Sequence, residues 1–193
     1  MLEVIGLVLI AVLAENLALV RCMGIHVSSR EELTQRGVRR AGAALILVMV
    51  TAALLTWLAN TYLLRFFGAE HLRTLVFTLL VLAAIRLVRW VLRAFFPALA
   101  RYLAEALSET VFNAAVLGVC LVSALRGYTL WQTLLYALAG GAGVVLVLGI
   151  YTGMQEQAEF ESCPPRFRGY PILLITAGLM ALALMGFYGL NVQ

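Results

Sequence analysis

Six apolar runs, joined by short polar stretches, dominate the chain: about 3–21, 41–64, 72–92, 109–125, 129–153 and 170–191. A hydrocarbon core of about 30 Å is crossed by roughly 20 helical residues, so these runs predict six transmembrane helices. Strands fail as an alternative, because the runs lack strict apolar/polar alternation and are about twice as long as a barrel strand needs. With 63% hydrophobic and 12% charged residues, the chain lies far from the roughly half-apolar, quarter-charged balance of a soluble domain. The expectation is an all-α integral membrane protein, a single membrane domain over residues 1–193. Any chemistry must then sit between helices or come from partner subunits.

The first run, MLEVIGLVLIAVLAENL, has Glu3, no basic flank and no small-residue cleavage site, which predicts a retained span rather than a signal peptide. Cys22, Cys120 and Cys163 are odd in number, widely spaced and without a CxxC pair, so no disulfide framework is expected. All 14 basic residues are arginine and all 10 acids are glutamate. The resulting pI of about 9.3 needs no nucleic acid to explain it, because cytoplasmic loops of membrane proteins are commonly basic.

The arginines also orient the helices. Connections 1–2, 3–4 and 5–6 hold 11 of them: Arg21, Arg30, Arg36, Arg39, Arg40, Arg86, Arg89, Arg93, Arg101, Arg166 and Arg168. The opposite side holds three, Arg65, Arg73 and Arg126. The positive-inside rule therefore makes the first set cytoplasmic and sends both termini outward. In RLVRWVLR (86–93) the charges recur at i, i+3 and i+7, making one face of the third span basic. That face suits snorkelling to lipid headgroups with Trp90 as an interfacial anchor, or docking of a partner.

Three spans followed by three spans must place the second half upside down relative to the first, the arithmetic of an inverted repeat. A faint internal echo, ENLALVRCMG against FNAAVLGVCL, has the same sense. The segment PPRFRGYPILLITAGLMALALMGFYGL (164–190) closely resembles the C-terminal hairpin of the six-span subunits shared by Rnf electron-transport complexes and the sodium-pumping NADH:quinone reductase. ENLAL (15–19), LRTLVF (72–77), NAAVLGV (113–119) and YALAGGAGVVLVL (136–148) match the same family in order, and the outward termini resemble its RnfA/NqrE branch.

The resemblance implies a pair of sister six-helix subunits, related by a pseudo-twofold in the membrane plane, that share a [2Fe–2S] cluster among other Rnf/Nqr-type partners. It implies electron transfer across a bacterial inner membrane coupled to Na+ or H+ movement, with this chain one component of a complex rather than an enzyme alone. Read without gaps, the family's two cysteine positions fall on His26 and Ala114. Thiolate, or imidazole in Rieske centres, ligates such clusters, so His26 remains a metal candidate and Ala114 is none. Cys22 lies four residues before His26, on the same helical face, whereas Cys120 lies six past Ala114, about 240° around the helix.

The family's Gly and Pro ahead of the fourth span's asparagine correspond to Ala104 and Ser108, which predicts a less interrupted helix here. Arg86 and Arg89 stand where the family carries a polar/acidic pair, and Glu109 where it is generally apolar. A second reading follows from these departures: a non-redox relative serving as a small inverted-repeat transporter or as an assembly component. Carboxyl groups inside spans cost a few kcal/mol and normally face a bundle interior. Glu15, Asn16, Glu109 and Asn113 are accordingly expected to form a polar core, either as hydrogen-bonded amides or as an ion path. AGGAG (139–143) reads as a close helix-packing face, and the prolines of SCPPRFRG (162–169) as the stop before the sixth span.

Overall fold

The computed structural model describes residues 6, 8, 11–12, 35–64, 68, 70–110, 113–160 and 170–186, and every regular element among them is helical. Helix α1 (Gln35–Leu58) runs on through a π-helical turn, Ala59–Leu64. After a 3-10 turn, Glu70–Leu72, come α2 (Arg73–Phe95), α3 (Pro97–Glu109), α4 (Ala114–Leu125), α5 (Leu130–Phe160) and α6 (Tyr170–Met185). Among the described residues, three stretches are long and apolar enough to cross a membrane: Gly37–Leu64, Arg73–Phe95 and Leu130–Ile150. Ala114–Leu125 and Leu174–Met185 are shorter apolar helices.

Helix α1 is the hub, packing against α2, α3, α4 and α5. Its buried stripe, Ala44, Leu45, Val48, Met49, Ala52 and Ala53, repeats at the three-and-four spacing of a single helix face. Against α5 the approach is close enough to require glycine. A Cβ on Gly141 would stand 2.8 Å from Ile46 Cγ1 and 3.3 Å from Met49 Sδ, and one on Gly42 would stand 2.5 Å from Val145 Cγ2. Within AGGAG, Ala139, Gly140, Gly141 and Gly143 are buried, and the Gly141 contact is the close packing that small residues permit. From the first apolar run, Ala11 joins the core and Val8 and Val12 pack against it.

Two punctuation marks shape the middle of the chain. Pro97 has no N–H to give and occupies the first turn of α3, while Phe96 before it adopts φ −136°, ψ 69°, outside the helical region. The chain bends there, and α3 folds back to pack on both α1 and α2. The stretch 93–108, expected as a loop, is thus largely helix. Its apolar residues Leu103, Ala106 and Leu107 are buried while Arg101, Tyr102, Ala104, Glu105 and Ser108 stay exposed. Arg40 of α1 secures it, lying 5.0 Å over the Tyr102 ring and 3.8 Å from Glu105 Oε2.

The fourth apolar run is the other departure from expectation, for 109–125 is not one helix. Helix α3 ends at Glu109 and α4 starts at Ala114, so the interruption stands without the family's Gly and Pro. At 1.5 Å per residue the 12 residues of α4 extend only about 18 Å, short of the hydrocarbon thickness of about 30 Å.

Candidate functional site

A side-chain cap marks the restart after the interruption between α3 and α4. Thr110, buried, is the C-cap of α3 and still helical in its backbone: its N–H and its hydroxyl (2.8 Å) both donate to the Ala106 carbonyl, and its own carbonyl accepts from Asn113 N–H at 3.1 Å. Asn113 then turns extended, φ −81°, ψ 107°, and its Oδ1 accepts the Ala115 N–H at 3.0 Å. That is an N-cap, which satisfies one of the donors that every helix start leaves open. The restart therefore needs no proline: an asparagine cap begins the new helix.

A second polar feature lies where α1 ends, α2 begins and α4 turns into α5. Gly127, at φ 65°, takes the left-handed conformation that ends α4, with Tyr128 N–H to Ser123 O (3.1 Å) and Gly127 N–H to Ala124 O (3.3 Å). Helix α5 opens with a reciprocal cap: Gln132 Oε1 accepts Thr129 N–H at 3.0 Å, and Thr129 Oγ1 accepts Gln132 N–H at 3.4 Å. The indole of Trp57 fastens this turn to α1 by donating to Tyr128 O at 3.0 Å.

Beneath it is a cavity of about 200 Å3 whose walls include Thr56, Asn60, Phe77, Cys120, Ser123 and Thr133. Asn60 Oδ1, Ser123 Oγ and Thr133 Oγ1 are buried with no hydrogen-bond partner, on residues only 6%, 4% and 2% exposed. Three such oxygens around one space would each cost about 1–3 kcal/mol if left dry. The cavity has room for several waters of about 30 Å3 each, which would satisfy them. Among the described residues, no carboxylate or imidazole lines it. The π-helical turn carries Asn60 into this space, as π-bulges commonly do for site residues.

Of the residues expected to form the polar core, Asn113 is the helix cap just described and Glu109 is the last residue of α3, four positions before it. Glu15, Asn16, Cys22 and His26 lie outside the described residues. Ala114 opens α4 with an exposed methyl group. Cys120, the nearest thiol along that helix, is buried among the cavity residues nearly two turns further on. Among the described residues no three His, Cys, Asp or Glu side chains gather as metal ligands. The described half of the expected cluster site therefore does not fit a [2Fe–2S] group, which asks for thiolates. The unpartnered trio escapes a reading of the sequence because its members come from three helices, and only the burial of each in an apolar run hints at it.

Long apolar helices, an interrupted fourth run and polar groups enclosed between helices define a polytopic membrane protein with a discontinuous helix. The chain belongs to the Rnf-Nqr subunit family of membrane proteins, whose model matches residues 4–191. It is similar to the A-type subunit of the ion-translocating oxidoreductase complex from Syntrophotalea carbinolica, 36% identical with 93% of each chain covered. The protein of the same name from Glaesserella parasuis is 38% identical with 98% of each chain covered, and that from Serratia proteamaculans 36% identical with 93% covered.

Proposed function

We propose that this chain is a membrane component, equivalent to the A-type subunit of its relatives, in an ion-translocating oxidoreductase complex of the bacterial inner membrane. The observation that carries this reading is the family match over residues 4–191, joined to relatives of that name covered almost end to end. In this reading six spans form two inverted halves, both termini face outward, and a sister six-helix subunit packs against the interrupted fourth span. The polar residues Glu15, Asn16, Glu109 and Asn113 line the contact between the halves and serve ion movement. An affinity-tagged full-length chain, purified from its native membrane, is expected to bring the sister six-span protein and further members of the complex with it. Purification of the intact chain alone, with complex activity unchanged in its absence, overturns the reading.

A second reading is favoured by one observation, the methyl group of Ala114 at the start of α4. With no thiolate there, the chain serves as scaffold or ion-conducting partner without sharing an iron–sulfur cluster, and the electrons travel through other subunits. Iron analysis and visible absorbance of the purified complex separate the two. A reducible [2Fe–2S] band that shifts on His26→Ala supports the redox role, and a complex in which His26→Ala and Cys22→Ser leave every iron–sulfur signal unmoved supports the scaffold. Unchanged Na+ or H+ coupling in both Glu15→Gln and Glu109→Gln would remove the ion path.

A further inference from the structure

A second cavity, of about 190 Å3, lies between α2 and α3, walled by Arg89, Leu92, Arg93, Ala100, Ala104, Leu107 and Ser108. Its construction is two-sided. From α2, Arg89 and Arg93 stand one turn apart and bring two guanidinium groups to one wall. From α3, Ala100, Ala104 and Ser108 recur every fourth residue, and their small side chains leave the space open. Buried Leu92 and Leu107 make the apolar part of the lining.

Neither Arg89 nor Arg93 has an ion pair or a side-chain hydrogen bond among the described residues. Arg86 and Arg101 nearby are exposed and also positive, so the field at the cavity favours an anion. Of the two acids on α3, Glu105 faces Arg40 of α1 and Glu109 is the last residue of the helix, so the four arginines outnumber the acids at this end. Around this end of α2 the surface is strongly apolar: Trp90 and Phe95 are each 69% exposed, with Phe96 and Leu99 beside them. A charged cleft opening onto exposed aromatic and aliphatic side chains matches a ligand with an anionic head and a hydrocarbon body.

We propose that the α2–α3 cleft is a binding site for an anionic phospholipid, whose phosphate is held by the guanidinium groups of Arg89 and Arg93. Arginine grips phosphate through paired N–H donors, which gives orientation as well as charge. Basic pockets between transmembrane helices on the cytoplasmic side are suited to such headgroups, and the arginine asymmetry of the chain puts this end there. The small residues of α3 are then the specificity element, because a larger side chain at Ala104 would fill the cleft without altering its charge.

The test is native mass spectrometry of the full-length protein, released from mild detergent and titrated with phosphatidylglycerol or phosphatidylcholine. Phosphatidylglycerol should bind in preference. Arg89→Gln with Arg93→Gln should weaken it about thirtyfold, at about 1 kcal/mol per arginine and a factor of ten per 1.4 kcal/mol. Ala104→Leu should weaken it as well, and Arg86→Gln, outside the lining, should do so less than either pocket arginine. Single Arg93→Gln, at an exposed position, provides the reading should a variant at half-buried Arg89 fail to assemble. Equal losses for Arg86→Gln and Arg93→Gln with none for Ala104→Leu would mean diffuse surface attraction and overturn the proposal. So would displacement of the lipid by inorganic phosphate or glycerol phosphate at equal concentration, which would make the site one for a free anion.

Discussion

The indole nitrogen of Trp57 and the carbonyl oxygen of Tyr128, 71 positions apart in the chain, meet at 3.0 Å. This bond ties the last full turn of α1 to the tight turn between α4 and α5. It also roofs the polar cavity, since both residues belong to its lining. Tyr128 is held from the other side by an edge-on contact with the buried ring of Tyr136, centroids 5.7 Å apart.

Trp57→Phe keeps an aromatic ring and removes the donor, leaving the Tyr128 carbonyl short of a partner. We expect a loss of about 1–3 kcal/mol, the desolvation cost of such a group, read as a lower thermal midpoint of the detergent-purified protein.

The cap at the helix interruption makes a separable prediction. Asn113→Ala is expected to cost about 0.5–2 kcal/mol, whereas Asn113→Ser, which can still accept the Ala115 N–H, should cost less. Faster amide exchange confined to the first turn of α4 would mark the loss as local. Identical behaviour of the two variants would contradict the capping role.

Two glycines on α5 should respond in opposite directions. Gly141→Val drives methyl groups into Ile46 and Met49 and should destabilise by about 1–3 kcal/mol, as overpacked interiors do. Gly149 has nothing within 4 Å of an added Cβ, so Gly149→Ala should be neutral or stabilise by up to about 1 kcal/mol. Heating the two variants side by side checks both at once.

Orientation is open to direct measurement. A reporter enzyme that works only outside the cytoplasm, fused after residue 193, should be active, and one inserted in the connection after the fifth span, near Arg166, should not. The reverse pattern would move the arginine-rich cleft to the outer leaflet.

Much of the architecture was legible because bilayer thickness dictates helix length, and Arg73–Phe95 follows the run 72–92 closely. Helix α3 was legible too, yet hidden between two longer apolar runs. Leu99, Ala100, Leu103, Ala106 and Leu107 after Pro97 carry a helical spacing that a search for 20-residue spans passes over. The helix break escapes a search for Gly and Pro, because its operative signal is an asparagine directly before an apolar stretch. The cavity oxygens of Asn60, Ser123 and Thr133 were beyond reach, since their convergence depends on how three helices pack.

The glycine contacts between α1 and α5 carry one more implication. With Gly42 under Val145 and Gly141 against Ile46, each helix is keyed into the other at two heights, and neither can slide lengthwise without a steric collision. The pair acts as a fixed mast. The elbow before Pro97 and the joint ahead of Ala114 lie outside this keyed pair, at points where the described backbone leaves regular helix.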